Sequence, residues 1–123
     1  MTAVAKGDIE IIKLLLKNNS LDINVTDTNS GVNAFWLACL YNQGSIMKEL
    51  ANSGIDIYNS NHQDINALHL SVLLNNVKIV KMLIASNYSL EFVTNKGYNV
   101  VHLCSMLNRT EILNEIIKHL TTK

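Results

Sequence analysis

The chain contains no proline among its 123 residues, only five glycines and two cysteines, and only 16% of it is charged. Without proline there are no Pro-rich linkers or polyproline recognition tails. Cys39 and Cys104 form no Cys-x-x-Cys pair and lie in apolar stretches, where a thiol behaves as a small hydrophobe. That excludes the disulfide framework of a small secreted domain. Ten Lys and Arg balance ten Asp and Glu, so the net charge is zero. A nucleic-acid binder or a polybasic membrane binder would carry a surplus of positive charge. No apolar run approaches the ~18 residues that span a bilayer. No basic segment followed by an apolar one opens the chain as a secretory signal would. What is abundant is apolar residues, 48%, enough to fill a core, and asparagine, with seventeen from Asn18 to Asn114. Composition points to one globular, intracellular domain with a cytoplasmic location.

Self-similarity organises the chain. Asn33-Ala34-Phe35-Trp36-Leu37-Ala38 is followed 33 residues later by Asn66-Ala67-Leu68-His69-Leu70-Ser71, and again by Asn99-Val100-Val101-His102-Leu103-Cys104. Behind each block lies a second apolar segment: Ile46, Met47, Leu50 and Ala51; Ile79, Val80, Leu83 and Ile84; Ile112, Leu113, Ile116 and Ile117. The spacing i, i+1, i+4, i+5 draws one stripe along a helix. Ile11, Ile12, Leu15 and Leu16 give the same stripe 35 residues before the next, two extra residues falling between Leu21 and Gly31. The approximate units are 1–26 (partial), 27–60, 61–93 and 94–123, one array of about three and a half.

Local signals define each unit. Asn33, Asn66 and Asn99 are N-caps, because the side-chain oxygen accepts from unpaired amides of the first turn. A short helix follows, ending near Asn42, Asn75 or Asn108. The second helix stops near Ser53-Gly54, Ser86-Asn87 or Leu120, and Gly54 and Asn87 suit the left-handed residue that closes a helix. A polar-rich loop then leads to the next cap. It carries Gly31, Asp64 or Gly97 at one equivalent position, types that tolerate positive φ in a tight turn.

These blocks resemble the ankyrin repeat, with its period of 33 and its Thr-Pro-Leu-His-x-Ala signature. Asn66-Ala67-Leu68-His69-Leu70-Ser71 is the nearest match, His102 fills the histidine slot one unit later, and Trp36 fills it one unit earlier. Gly7-Asp8-Ile9-Glu10-Ile11-Ile12-Lys13-Leu14-Leu15-Leu16 is similar to the family's second-helix block, with a diverged copy at Asn76–Ile84. Gly54-Ile55-Asp56-Ile57-Tyr58 resembles its closing segment. The resemblance covers essentially the whole chain and implies an all-α, ankyrin-type helical solenoid of helix-turn-helix repeats joined by hairpin-like loops. Departures are informative. Asparagine replaces the signature threonine and keeps the cap acceptor. Ala34, Ala67 and Val100 replace proline and lose only a favourable first-turn residue. Trp36 lacks the ring acceptor, which puts the usual loop-to-loop hydrogen bonding in doubt at that unit. The first unit has only the tail of a first helix, Thr2 to Ala5, and the apolar helix near Val100–Leu107 lacks a polar outer face. Both features favour an excerpt from a longer array or larger polypeptide.

Chemistry-bearing constellations are absent from the sequence. Stacked helices lie ~8–10 Å apart, whereas two imidazoles sharing a metal need their nitrogens within ~4 Å. His69 and His102, one unit apart, therefore read as scaffold residues, and His62 beside Gln63 and Asp64 as a solvated turn. Cys39 and Cys104 stand nearly two units apart, on the order of 20 Å, beyond the ~7 Å between Cα atoms that a disulfide allows. No nucleophile elbow, phosphate loop or His-Glu-x-x-His motif occurs. Glu111 and Glu115, one turn apart, read as solvation. The Asn-x-Ser/Thr sequences at Asn18, Asn24, Asn87 and Asn108 imply no glycan without a secretory signal. The expectation is no enzyme activity, no metal and no cofactor.

The resemblance implies a concave face lined by the first helices and rimmed by loop tips. It places Leu40 and Tyr41, Leu73 and Leu74, and Met106 and Leu107 on that face, with Val32, Ile65 and Tyr98 at the matching loop position. His62, Gln63, Asn95 and Lys96 belong to the rim. An exposed apolar strip of this length is a partner site by patch logic. Against that, Leu40, Leu73 and Met106 could pack between helices, leaving the second of each pair exposed. The expected function is binding of a protein partner, with no nucleic acid and no membrane, by a monomer or a part of a longer polypeptide. The alternatives are a regulatory or substrate-recruiting segment of a larger enzyme or channel, and an architectural role in self-association.

Overall fold

The computed structural model of the chain describes residues 10, 12–14, 16–18 and 22–122. Three helix pairs follow one another: α1 (Ala34–Leu40) with α2 (Gly44–Asn52), α3 (Ala67–Leu73) with α4 (Val77–Ala85), and α5 (Val100–Leu107) with α6 (Thr110–Thr121). The described residues among 10–17 are helical as well, and no strand occurs among the described residues. The fold is an all-α helical solenoid. The expected helix tail Thr2–Ala5, the start of the block at Gly7 and the stripe residues Ile11 and Leu15 lie outside the described residues.

Each first helix starts where its asparagine says it should. The Oδ1 atoms of Asn33, Asn66 and Asn99 accept from the amides of Trp36, His69 and His102 at 3.1, 2.9 and 2.9 Å. Each cap has an extended backbone that turns the chain into the helix. Each first helix ends on another asparagine. Asn42, Asn75 and Asn108 take φ of 60°, 55° and 58°. The following amides of Gln43, Asn76 and Arg109 fold back onto the carbonyls of Ala38, Ser71 and Cys104, each at 2.8 Å. That is the reverse turn that satisfies orphan carbonyls at a helix end. Gly54 and Asn87 close α2 and α4 in the same left-handed region, as expected.

The loops are short hairpin-like turns. Asp27 and Val32, Asn61 and Ile65, and Thr94 and Tyr98 are joined N–H to C=O at 2.8, 3.1 and 2.9 Å. Gly31, Asp64 and Gly97 take the positive φ these turns require. Adjacent turns are stitched together where the Asn95 amide donates to the Gln63 carbonyl at 2.9 Å.

First helices stack on first helices, with α1 against α3 and α3 against α5, while second helices form the other layer. The layers are not equally tight. α1 and α3 are in contact whereas α2 and α4 hardly touch, so this one junction is open on its second-helix side, while α4 and α6 pack together. Between the layers runs one continuous core. Ile12, Met47, Leu50, Leu68, Val80, Ile112 and Ile116 are fully buried in it. Burial of such a side chain is worth roughly 1.5–3 kcal/mol. The stripes hold with two corrections. Ala51 is exposed over the gap between α2 and α4, and Ile117 is exposed because no helix pair covers α6 among the described residues.

Candidate partner-binding face

The ring position of each first helix connects units. His69 is buried, its Nδ1 accepts from the Asn66 amide at 3.1 Å, and its Nε2 therefore carries the hydrogen. Nε2–H donates to the Phe92 carbonyl, 3.0 Å away in the next loop. Burial holds the His69 pKa below the usual histidine value, while the carbonyl contacts oppose this. His102 repeats the local half of the arrangement, accepting from the Asn99 amide at 3.1 Å, with its ring exposed. At Trp36 the inter-loop tie that the missing ring acceptor put in doubt is present. The indole N–H donates to the Ile65 carbonyl at 2.8 Å, so the donating half survives. Only the accepting half is missing, and Asn59 supplies it, its Oδ1 taking the Asn33 amide at 2.9 Å.

The apolar strip divides unevenly. Leu40 and Leu73 are half-buried and pack against the core, as does the half-buried loop residue Ile65. Tyr41 is half-buried too. Leu74 is 47% exposed, Met106 58% and Leu107 37%. Met106 thus differs from Leu40 and Leu73, for α5 has no following first helix among the described residues to pack against. At the loops, Tyr98 is half-buried with its ring edge-on to His102, the centroids 6.4 Å apart. His62, Gln63, Asn95 and Lys96 are exposed. Val32 needs correction: it is 2% exposed and offers no side chain to a partner. Its neighbours explain this, since the Gly31 carbonyl and the Asn33 amide are both bonded to Asn59 and draw the segment inward.

The His62 ring lies against Gly31, where a Cβ would stand 3.0 Å from Cε1. Beside it the Asp27 carboxylate accepts from the Ser30 hydroxyl at 2.6 Å. That bond is the main cause of its lowered pKa, and the His62 charge adds to it.

Three features were missed in the sequence. Arg109 reaches back to α3 and donates from Nε to the Val72 carbonyl at 3.1 Å and from Nη2 to the Leu73 carbonyl at 2.9 Å. A cation just past one helix, able to cap the neighbouring one, was the available signal. Asn59 is the second. The third is an aromatic cluster behind the loops, where Tyr58 lies 4.5 Å from Tyr88 and 5.0 Å from Phe92 between ring centroids. The Tyr88 hydroxyl donates to the Ile57 carbonyl at 2.8 Å, and burial pushes its pKa up.

Among the described residues, no group of three His, Cys, Asp or Glu side chains is placed to hold a metal. Both cysteines are buried free thiols. Burial pushes the Cys39 thiol up to about 12, and its Sγ–H faces the Ala67 carbonyl at 3.4 Å, so neither thiolate chemistry nor a disulfide is on offer there.

This geometry agrees with comparison against known families. The family described as ankyrin repeats (3 copies) matches residues 1–61, and the helix pairs beyond residue 61 repeat the same caps, turns and stacking. The chain belongs to the ankyrin-repeat family. A search of curated proteins returned no match. Ankyrin repeats are generally protein–protein interaction modules and are typically non-catalytic. Among the described residues no helix is long and apolar enough to cross a membrane.

Proposed function

We propose that this array binds a partner protein across its first-helix face and loop tips and performs no reaction of its own. The observation that carries the reading is the run of exposed apolar side chains Leu74, Met106 and Leu107 on the inner layer. Solvent-facing positions there need no leucine for folding, and apolar anchors in a rigid surface are what interfaces use. Leu40, Tyr41, Leu73, Ile65 and Tyr98 flank them at half exposure, and His62, Gln63, Asn95 and Lys96 supply a polar rim. Val32 shapes this surface only through its backbone. The proposal includes a cytoplasmic setting, no cofactor and no nucleic-acid contact, Lys96 standing alone between Asn95 and Gly97.

Replacing Tyr41, Leu74 and Tyr98 with serine would disturb packing as well as contact, because both tyrosines are half-buried. The sharper variant is Leu74→Ser/Met106→Ser/Leu107→Ser. Affinity capture from the source lysate should lose the partner with this variant while its circular dichroism and melting stay like those of the unaltered chain. Unchanged capture would overturn the assignment of the face.

A second reading rests on the last unit. Val101, Ile117 and Leu120 are exposed, although the counterparts of the first two, Leu68 and Ile84, are buried by the next helix pair. Self-association, or continuation of the array within a larger enzyme or channel, would cover them. Sedimentation tests the self-association: a tight dimer supports it, a monomer the first reading, and the full reading frame decides the continuation.

A further inference from the structure

The gap between α2 and α4 has a cause in the register. α4 and α6 pack together, with Lys81 Nζ 3.8 Å from Glu115 across the junction. One unit earlier the position of Glu115 is taken by Met82, so Lys48, the counterpart of Lys81, has no acid to meet. The position of Val77 is taken by Gly44, which removes the side chain that would fill the junction. The result is a cleft of about 500 Å³ between the N-terminal halves of α2 and α4. That lies within the ~300–1,000 Å³ range of ligand clefts.

The lining is chemically one-sided. Lys48 and Lys78 both face it, no carboxylate does, and neither lysine has an ion pair or hydrogen bond among the described residues. Asn42, Gln43 and Ser45 form a neutral polar wall, and the half-buried Met82 gives an apolar patch over Ile79, which is itself buried. In a chain of zero net charge, two unmatched cations on one cleft are a local feature rather than a general excess.

We propose that this cleft is a second binding site, on the layer opposite the first-helix face, for an acidic peptide segment of a partner. Two carboxylates lie against Lys48 and Lys78, and an apolar side chain between them rests on Met82. Charge complementarity selects the anion, and the Met82 patch selects a peptide over a bare anion, which would leave that patch uncovered. The inference stands independently of the first-helix reading, because no residue is shared.

The test is a nitrogen–proton NMR titration of the chain with an acetylated, amidated Gly-Glu-Leu-Glu-Gly peptide. Saturable shifts are expected at residues 42–48 and 77–82. The Gly-Gln-Leu-Gln-Gly analogue should bind roughly tenfold more weakly, the size of two modest ion pairs. Lys48→Gln/Lys78→Gln should weaken binding by a similar factor without unfolding, both side chains being exposed. Gly44→Val should abolish them by filling the cleft, its new Cβ standing at an ordinary 3.6 Å from Met82 Sδ. Shifts absent at millimolar peptide, an affinity unchanged in the double variant, or equal affinity for the two peptides would overturn the proposal. Equal shifts from sodium phosphate would overturn the peptide assignment.

Discussion

The indole N–H of Trp36 donates to the carbonyl of Ile65 at 2.8 Å, in the loop of the following unit. His69 makes the equivalent link to Phe92 at 3.0 Å with an imidazole nitrogen. Two different rings thus bind one unit to the next from the same register position. In a solenoid where each unit touches only its neighbours, such links hold successive interfaces in register.

Trp36→Phe replaces the indole by a smaller aromatic ring and deletes the donor. The Ile65 carbonyl then lacks that partner, a typical net hydrogen bond being worth about 1 kcal/mol, and the indole's lost packing against the core adds to that cost. Urea unfolding followed by circular dichroism measures it. A midpoint equal to that of the unaltered chain would show that the link contributes nothing.

His69 makes stability depend on pH. Its folded pKa lies below the ordinary 6.5, so the unfolded chain takes up a proton first as the pH falls. The contribution of this residue is complete above about pH 6.5 and declines as pH drops through that value, by at most ~1.4 kcal/mol per pH unit. His69→Gln removes the titration, and the gap in urea midpoint between the unaltered chain and this variant should narrow from neutral to mildly acidic pH. A gap independent of pH would contradict the neutral, buried imidazole.

Asn75 closes α3 at φ 55°. A side chain with a Cβ is strained in that region by ~1–2 kcal/mol, which asparagine relieves in part and glycine avoids. Asn75→Ala should therefore lower the melting temperature while Asn75→Gly leaves it unchanged or raised. Equal melting of the two variants would show that the left-handed turn carries no such cost.

Arg109 ties the last helix pair to α3 through two carbonyls. Arg109→Met retains the aliphatic stem and removes both bonds, at an expected cost of about 1.5–3 kcal/mol. Amide exchange should accelerate first in α5 and α6. Acceleration confined to residues before α3 would contradict the tether.

Much of this fold was legible because its signals are local. The asparagine caps, the left-handed Asn87 and Gly54, and the turns at Gly31, Asp64 and Gly97 depend on a residue and its near neighbours, and they recur in register. The rest depends on partners some thirty residues away. That Asn59 takes the amide Trp36 leaves free, that Arg109 caps α3, and that Tyr58 stacks on Phe92 all follow from how units stack. The same is true of exposure. Val32, Ile65 and Tyr98 share a register position, yet only Val32 is drawn fully inside, because Asn59 binds on both sides of it. The strip was located by resemblance, and the sequence left open whether Leu40, Leu73 and Met106 pack between helices; the exposure of Met106, unlike half-buried Leu40 and Leu73, came only from the packed helices.

Site-specific photocrosslinking tests the central claim most directly. A benzophenone amino acid is placed at Leu74 on the inner layer, or at the exposed Glu111 on the outer layer, and the chain is irradiated in source lysate. The account predicts a discrete protein adduct from position 74 and none from position 111. No adduct at 74, or the same adduct from both positions, would contradict it.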